Sequence, residues 1–235
     1  MSTTAPLPHR VRVAGSSSNL GPGFDCLGLA LSLFVDASVL ERRREPGHAY
    51  GPREGAAREW SGGADDLFLR AVDAAAGRAA LEPGWVFGVS SDVPLARGLG
   101  SSGAAVAAGL LLGAELAGRS DREKLLALGL ELEGHPDNVV ASLLGGLTVG
   151  VPTPEAPTPL ARVSSPFHAS LGVVVAWSAD RMPTERARAV LPTRVDRVDA
   201  IENARRLALL LSGLASGDLD LVAAGSLDRL HERYR

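Results

Sequence analysis

The stretch Pro94-Leu95-Ala96-Arg97-Gly98-Leu99-Gly100-Ser101-Ser102-Gly103-Ala104-Ala105 decides how this chain is read. It stands directly before an alanine- and leucine-rich run to about Ala117, which has the composition of a buried helix. Glycines let a backbone approach an anion closely, and the free N–H groups of a helix start point at it. The helix dipole adds about 0.3–1 kcal/mol per interaction at exposed sites. Ser101 and Ser102 contribute hydroxyl donors, and either could also bind magnesium. A Gly-Ser turn that only caps a helix is the plainer alternative, but it explains neither Pro94, four positions before Gly98, nor the density of small residues. A Walker A loop is excluded: no Gly-Lys-Ser/Thr follows, and the only lysine, Lys124, lies 22 residues beyond Ser102. A dinucleotide fingerprint on Gly98, Gly100 and Gly103 would leave the serines unexplained. Pro94 to Ala104 therefore reads as an ATP phosphate cradle of another design.

Outward from this loop, the pattern is mixed. His9 to Ala14 alternates as a short strand and runs into the glycine-serine loop 15–23. Leu27 to Leu40 reads as one or two strands, 41–63 as a polar loop or hairpin, Asp65 to Ala80 as a helix and Trp85 to Val89 as a strand. Ser120 with Glu123 has the spacing of a capping box opening a helix over 121–133. His135-Pro-Asp-Asn138 interrupts it, and a short helix and a strand at 147–151 follow. The five prolines of Pro152 to Pro166 suggest a linker. Leu171 to Trp177 reads as a buried strand, 184–191 as a helix, and 197–230 as two or three helices. The order is α+β rather than regular βαβ.

Composition narrows the class. The 235 residues suit one large domain or two small ones, and 46% hydrophobic content is ample for a core. A net charge of -3 argues against a general nucleic-acid binder. Cys26 is the only cysteine, so no internal disulfide can form. Met1 to Pro8 lacks a signal-peptide core and no apolar run is long enough to span a bilayer, so no membrane association and a cytoplasmic location are expected.

Pro-x-x-x-Gly-Leu-Gly-Ser-Ser-Gly-Ala resembles the phosphate-binding motif of the GHMP kinase superfamily. Three further stretches resemble bacterial homoserine kinases: Ser17-Ser-Asn-Leu-Gly-Pro-Gly-Phe-Asp25, Glu133-Gly-His-Pro-Asp-Asn138 with Gly145-Gly146, and Asp228-Arg-Leu-His-Glu-Arg-Tyr-Arg235. The resemblance spans essentially the whole chain, with the four motifs in order. The resemblance implies a two-domain α+β fold: a ribosomal protein S5 domain 2-like N-terminal ATP-binding domain over 1–160, and an incomplete ferredoxin-like C-terminal domain over 161–235. It implies ATP and Mg2+ as cofactors, L-homoserine as acceptor, threonine biosynthesis as context, and a homodimer. Alternatives are another GHMP kinase of mevalonate or sugar type, or a non-catalytic ligand-binding protein on the same scaffold.

The resemblance also distributes roles. Asn19, Asn138 and Arg188 are the expected catalytic set; Asn19, Asp25, Asn138, Thr184, Arg188 and Arg235 are the expected acceptor-binding set. Asn19 has the alternative of a turn residue with unusual φ/ψ, and Asp25 that of a structural cap. His135 and Asp137 fit fixing a turn better than chemistry, and no general base is assigned. Ser102 with Glu131, or else Glu133, would ligate magnesium. Thr184 and Arg188 are four apart, so a helix would present both on one face. An arginine fork suits a carboxylate through two parallel bonds. Arg233 stands where relatives carry proline, and Asp66 where an adenine-binding asparagine is usual. Relatives are longer and carry a third glycine-rich motif that these residues lack, which predicts an unpaired sheet edge and exposed apolar faces.

Overall fold

The computed structural model describes residues 9–77, 83–153, 160–178, 180–181 and 184–235. Its organising element is one long strand. β2 (Leu27–Arg42) pairs antiparallel with β1 (Arg10–Ser18) along Gly28–Ser38, with β4 (Trp85–Ser91) along Val35–Arg42, and with β5 (Leu147–Pro152) along Leu27–Leu29. β3 (Ala49–Gly55) adds to β4 in parallel, and β6 (Leu160–Ser165) adds to β5 antiparallel. The result is one six-stranded mixed sheet, so the fold is α+β.

Helices cover the sheet. α1 (Leu67–Ala76) and α2 (Ser101–Leu116) pack on β1, β2 and β4, with Val35, Phe68, Val72, Phe87 and Leu112 fully buried between them. α2 is buried from Gly103 to Leu110 and again over Leu112–Ala114, and apolar residues surround it, as expected of a helix with neighbours on every side. α3 (Arg122–Glu133) and α4 (Asp137–Leu144) join its second flank through Leu110, Leu126 and Val139. α5 (Thr184–Ala189), α6 (Arg197–Ser216) and α7 (Leu219–Gly225) follow, and Leu210 and Leu214 of α6 cluster with Leu27, Leu29 and Leu147. Among the described residues no helix is long and apolar enough to cross a membrane.

Four local expectations are corrected. Residues 41–63 hold strand β3 and a 3₁₀ turn, because parallel pairing with β4 supplies what their polar sequence does not advertise. α3 is capped by Asp121, whose carboxylate accepts from Lys124 N–H at 3.2 Å, rather than by a Ser120–Glu123 box. Within the supposed linker Pro152–Pro166 lies β6, which finds its partner in β5; positions 154–159 are outside the described residues. Leu171–Trp177 forms no ladder among the described residues, and Val173, Val174 and Trp177 are exposed, Val174 at 96%.

Candidate active site

Two loops of unusual backbone face each other across the start of α2. The four non-glycine residues with positive φ among the described residues all lie in them: Asn19 (70°), Leu20 (50°) and Asp25 (56°) in one, Ala96 (54°) in the other. Such conformations cost free energy and gather where surrounding structure over-determines them. The first loop is closed by its own side chain, since Asn19 Oδ1 accepts from the Asp25 N–H at 3.0 Å. The C-terminal part holds it from outside. Asn203 Nδ2 donates to Pro22 O at 2.9 Å, and His231 Nε2 donates to Gly21 O at 2.8 Å.

The second loop becomes α2 at Gly100, which has φ 66° and offers no side-chain cap. A Cβ there would sit 2.3 Å from Ser16 Oγ and 2.8 Å from Asn138 Oδ1. At Gly103 it would sit 2.8 Å from Asn138 Cβ. The glycines thus let the helix start press against β1 and α4 while its first N–H groups stay without intrahelical partners. Ser16 and Asn138 complete the seam: Ser16 Oγ donates to Asn138 Oδ1 at 2.9 Å, and Ser16 N–H to Leu99 O at 3.1 Å.

A cavity of about 510 Å3 opens over this seam, lined by Asn19, Leu95 to Gly98, Gly100 to Ser102, His135, Asp137, Asn138, Arg188 and Arg235 among others. The structure therefore gathers the phosphate-loop candidates and most acceptor candidates around one space. Pro94 and Leu99 build the loop behind it, with Leu99 buried, and Gly103 and Ala104 are the buried first turn of α2. Thr184 opens α5, but its side chain lies outside the described residues.

At one end, Ser102 Oγ lies 3.2 Å from Glu133 Oε2. Glu131, two residues earlier on α3, is exposed, so the structure brings Glu133 and not Glu131 to Ser102. Burial raises the Glu133 carboxyl pKa, against the lowering pull of His135 and Ser102. Asp137 is buried, and its Oδ1 accepts from Asn138 N at 2.8 Å and contacts His135 Nδ1 at 3.0 Å. That hydrogen bond raises the His135 pKa. His135 and Asp137 thus fix the turn that presents Asn138.

At the other end, Arg188 makes a two-pronged bond to Asp25, Nη1–Oδ2 at 2.9 Å and Nη2–Oδ1 at 2.5 Å. Two members of the expected acceptor-binding set thus hold each other. Arg235 Nε donates to Ala187 O at 3.3 Å. Burial, and next the Arg188 cation, lower the Arg235 pKa.

A second cavity of about 250 Å3, lined by Trp60, Ser61, Leu67 and Phe68, adjoins the first through Leu95, Ser101 and Ser102. Asp66 borders it and is 4% exposed. Its Oδ1 accepts from Tyr50 Oη at 2.8 Å and from Leu69 N at 3.1 Å, and its Oδ2 from Gly62 N at 2.9 Å. In this structure the side chain expected at the adenine is the N-cap of α1.

The family model for the GHMP kinases N terminal domain matches residues 66–146, which contain the whole second loop and α2. The homoserine kinase of Prochlorococcus marinus (strain NATL1A) is 41% identical over 233 residues, covering 96% of this chain and 72% of that protein. That of Synechococcus sp. (strain RCC307) is 42% identical over 231 residues with the same coverage. The chain belongs to the homoserine kinase family. A crystal structure of the homoserine kinase from Cytophaga hutchinsonii superposes with a TM-score of 0.76 at 24% identity, covering 100% of this chain and 76% of that one. The mevalonate kinase of L. major shares the fold at a TM-score of 0.65 and 11% identity, covering 94% of this chain and 73% of that one. ATP-dependent phosphotransfer is the chemistry of this family. Reading the sequence missed Ser16 and His231 as supports of the site. Ser16 carried no signal beyond a serine run; His231 sat inside a motif whose Arg235 drew attention.

Proposed function

We propose that this chain transfers the γ-phosphoryl group of ATP to the side-chain hydroxyl of L-homoserine, forming O-phospho-L-homoserine for threonine biosynthesis. The observation that carries the reading is that Arg188 and Arg235 line the same cavity as the N-terminus of α2. One end suits phosphates and the other a carboxylate. The bare backbone at Gly100 and Gly103, which a Cβ would fill, fits a triphosphate held by N–H groups and the helix dipole. Ser102 and Glu133 fit magnesium, which is usually held by one or two protein groups with water and phosphate completing its shell. When bound, magnesium-ATP supplies the phosphoryl group and neutralises its charge.

The protein's own work is then positioning, which dominates phosphoryl transfer. Arg188 exchanges the Asp25 carboxylate for that of the acceptor, and Asp25 receives the acceptor ammonium in return. Asn19 and Asn138, both at the cavity wall, orient the hydroxyl between the acceptor end and the α2 N-terminus. No side chain is assigned as general base. The proposal includes a homodimer, a cytoplasmic location, and a division into two domains whose boundary follows Ser165, where β6 leaves the sheet, rather than residue 160.

ADP release with magnesium-ATP and L-homoserine, against mevalonate, galactose and L-serine, tests the reading. Release confined to L-homoserine supports it. Release with mevalonate or galactose instead would favour another acceptor class, and silence with all four would leave a ligand-binding role.

A further inference from the structure

Three side chains converge on the aromatic ring of the first loop. The guanidinium of Arg188 lies 5.6 Å from the Phe24 centroid and that of Arg235 lies 5.1 Å from it. The His231 ring stacks on it at 4.8 Å, tilted by 24°. We propose that Phe24 is a positioning residue: a shared π platform that holds Arg188 and Arg235 together at a spacing one carboxylate can bridge. The proposal rests on the acceptor assignment above.

Two guanidiniums brought to one site repel each other, and something must compensate before an anion arrives. Asp25 does this for Arg188 through a two-pronged bond. Arg235 bonds to the Ala187 carbonyl at 3.3 Å, a longer and neutral contact. The electron-rich face of an aromatic ring attracts both cations without occupying the hydrogen-bonding edges that a carboxylate needs. The ring itself is well anchored. Its neighbour Asp25 is held at φ 56° by the Asn19 side chain, and His231 is buried and tied to Gly21 O. Arg188 comes from α5 and Arg235 from the C-terminal segment, so Phe24 is a common surface for groups from two separate elements.

Phe24→Leu keeps an apolar side chain and removes the π face. Each cation–π contact is worth about a factor of 2–5 at partly exposed sites, so losing two should raise the L-homoserine KM about 4- to 25-fold. ATP KM should stay at the wild-type value, and Phe24→Trp should restore most of the loss. A ring needed only for packing would be replaced adequately by leucine, and the larger indole would not rescue it. A second reading needs no turnover. The Nε–H resonances of Arg188 and Arg235, assigned with Arg188→Lys and Arg235→Lys, should be displaced by ring current in the wild type and return to ordinary positions in Phe24→Leu. Wild-type turnover of L-homoserine with an unchanged KM in Phe24→Leu overturns the proposal, as do arginine resonances that ignore the substitution. Wild-type silence with every acceptor instead overturns the functional reading, and the acceptor role of Phe24 falls with it.

Discussion

Gly100→Ala tests the packing that makes the phosphate cradle. Gly100 has φ 66°, where an alanine costs about 1–2 kcal/mol. Its new Cβ would lie 2.3 Å from Ser16 Oγ, 2.8 Å from Asn138 Oδ1 and 3.0 Å from Ser16 O. Ser16 is fully buried in β1 and bonded to Asn138, so it cannot swing aside without losing that partner. Overpacking of this kind costs about 1–3 kcal/mol, giving about 2–5 kcal/mol in all. For a chain of this size about 1 kcal/mol moves Tm by roughly 2–4 °C, so the drop should be about 4–20 °C. Gly98→Ala is the internal control: φ is 74°, but no atom lies within 4 Å of its new Cβ. It carries the backbone cost alone, about 2–8 °C. The assays are thermal unfolding and ATP binding by calorimetry, and only Gly100→Ala should also weaken ATP by displacing the α2 N-terminus. Equal melting of the two variants, with ATP affinity untouched in both, would refute the close-approach argument.

Three other outcomes are expected. Arg188→Ala should raise the L-homoserine KM or abolish turnover while ATP binding stays intact; unchanged kinetics would remove Arg188 from the acceptor site. Glu133→Gln, like Ser102→Ala, should raise the magnesium concentration needed for half-maximal activity, whereas Glu131→Gln should not; the reverse order would restore Glu131 as the ligand. Asp66→Ala removes an N-cap worth about 0.5–2 kcal/mol and should lower Tm with ATP affinity preserved, and a selective loss of ATP would contradict its structural role.

The sequence was most legible where one residue type serves one purpose. The glycines of 98–103 nominate an anion cradle, because close approach and positive φ have few other solutions; α2 was marked by its composition, and β1 and α1 by their periodicity. Strand β3 was illegible because its sequence, Ala-Tyr-Gly-Pro-Arg-Glu-Gly, is shaped by its partner rather than by propensity. β6 was hidden by flanking prolines in the same way. Leu171–Trp177 misled in the opposite direction: its apolar run is that of a buried strand, but among the described residues no ladder covers it. In the site, the choice between Glu131 and Glu133 could not be made from spacing. Two residues on a helix differ by about 200° in direction, and only the placement of α3 beside α2 shows which one meets Ser102. The Arg188–Asp25 pair joins positions 163 residues apart in the chain, so sequence could nominate each residue but not their contact.

The proposed reaction needs the cradle at the α2 N-terminus to hold the phosphates while the arginine pair at the opposite wall holds the amino acid. Phosphorus NMR of the 235-residue chain with magnesium-ATP and L-homoserine tests this most directly. A phosphomonoester signal on the side-chain oxygen is expected, growing in step with ADP and much weaker in Arg188→Ala at the same L-homoserine concentration. ADP and inorganic phosphate without the ester, or an ester formed equally well on mevalonate or galactose, would contradict it.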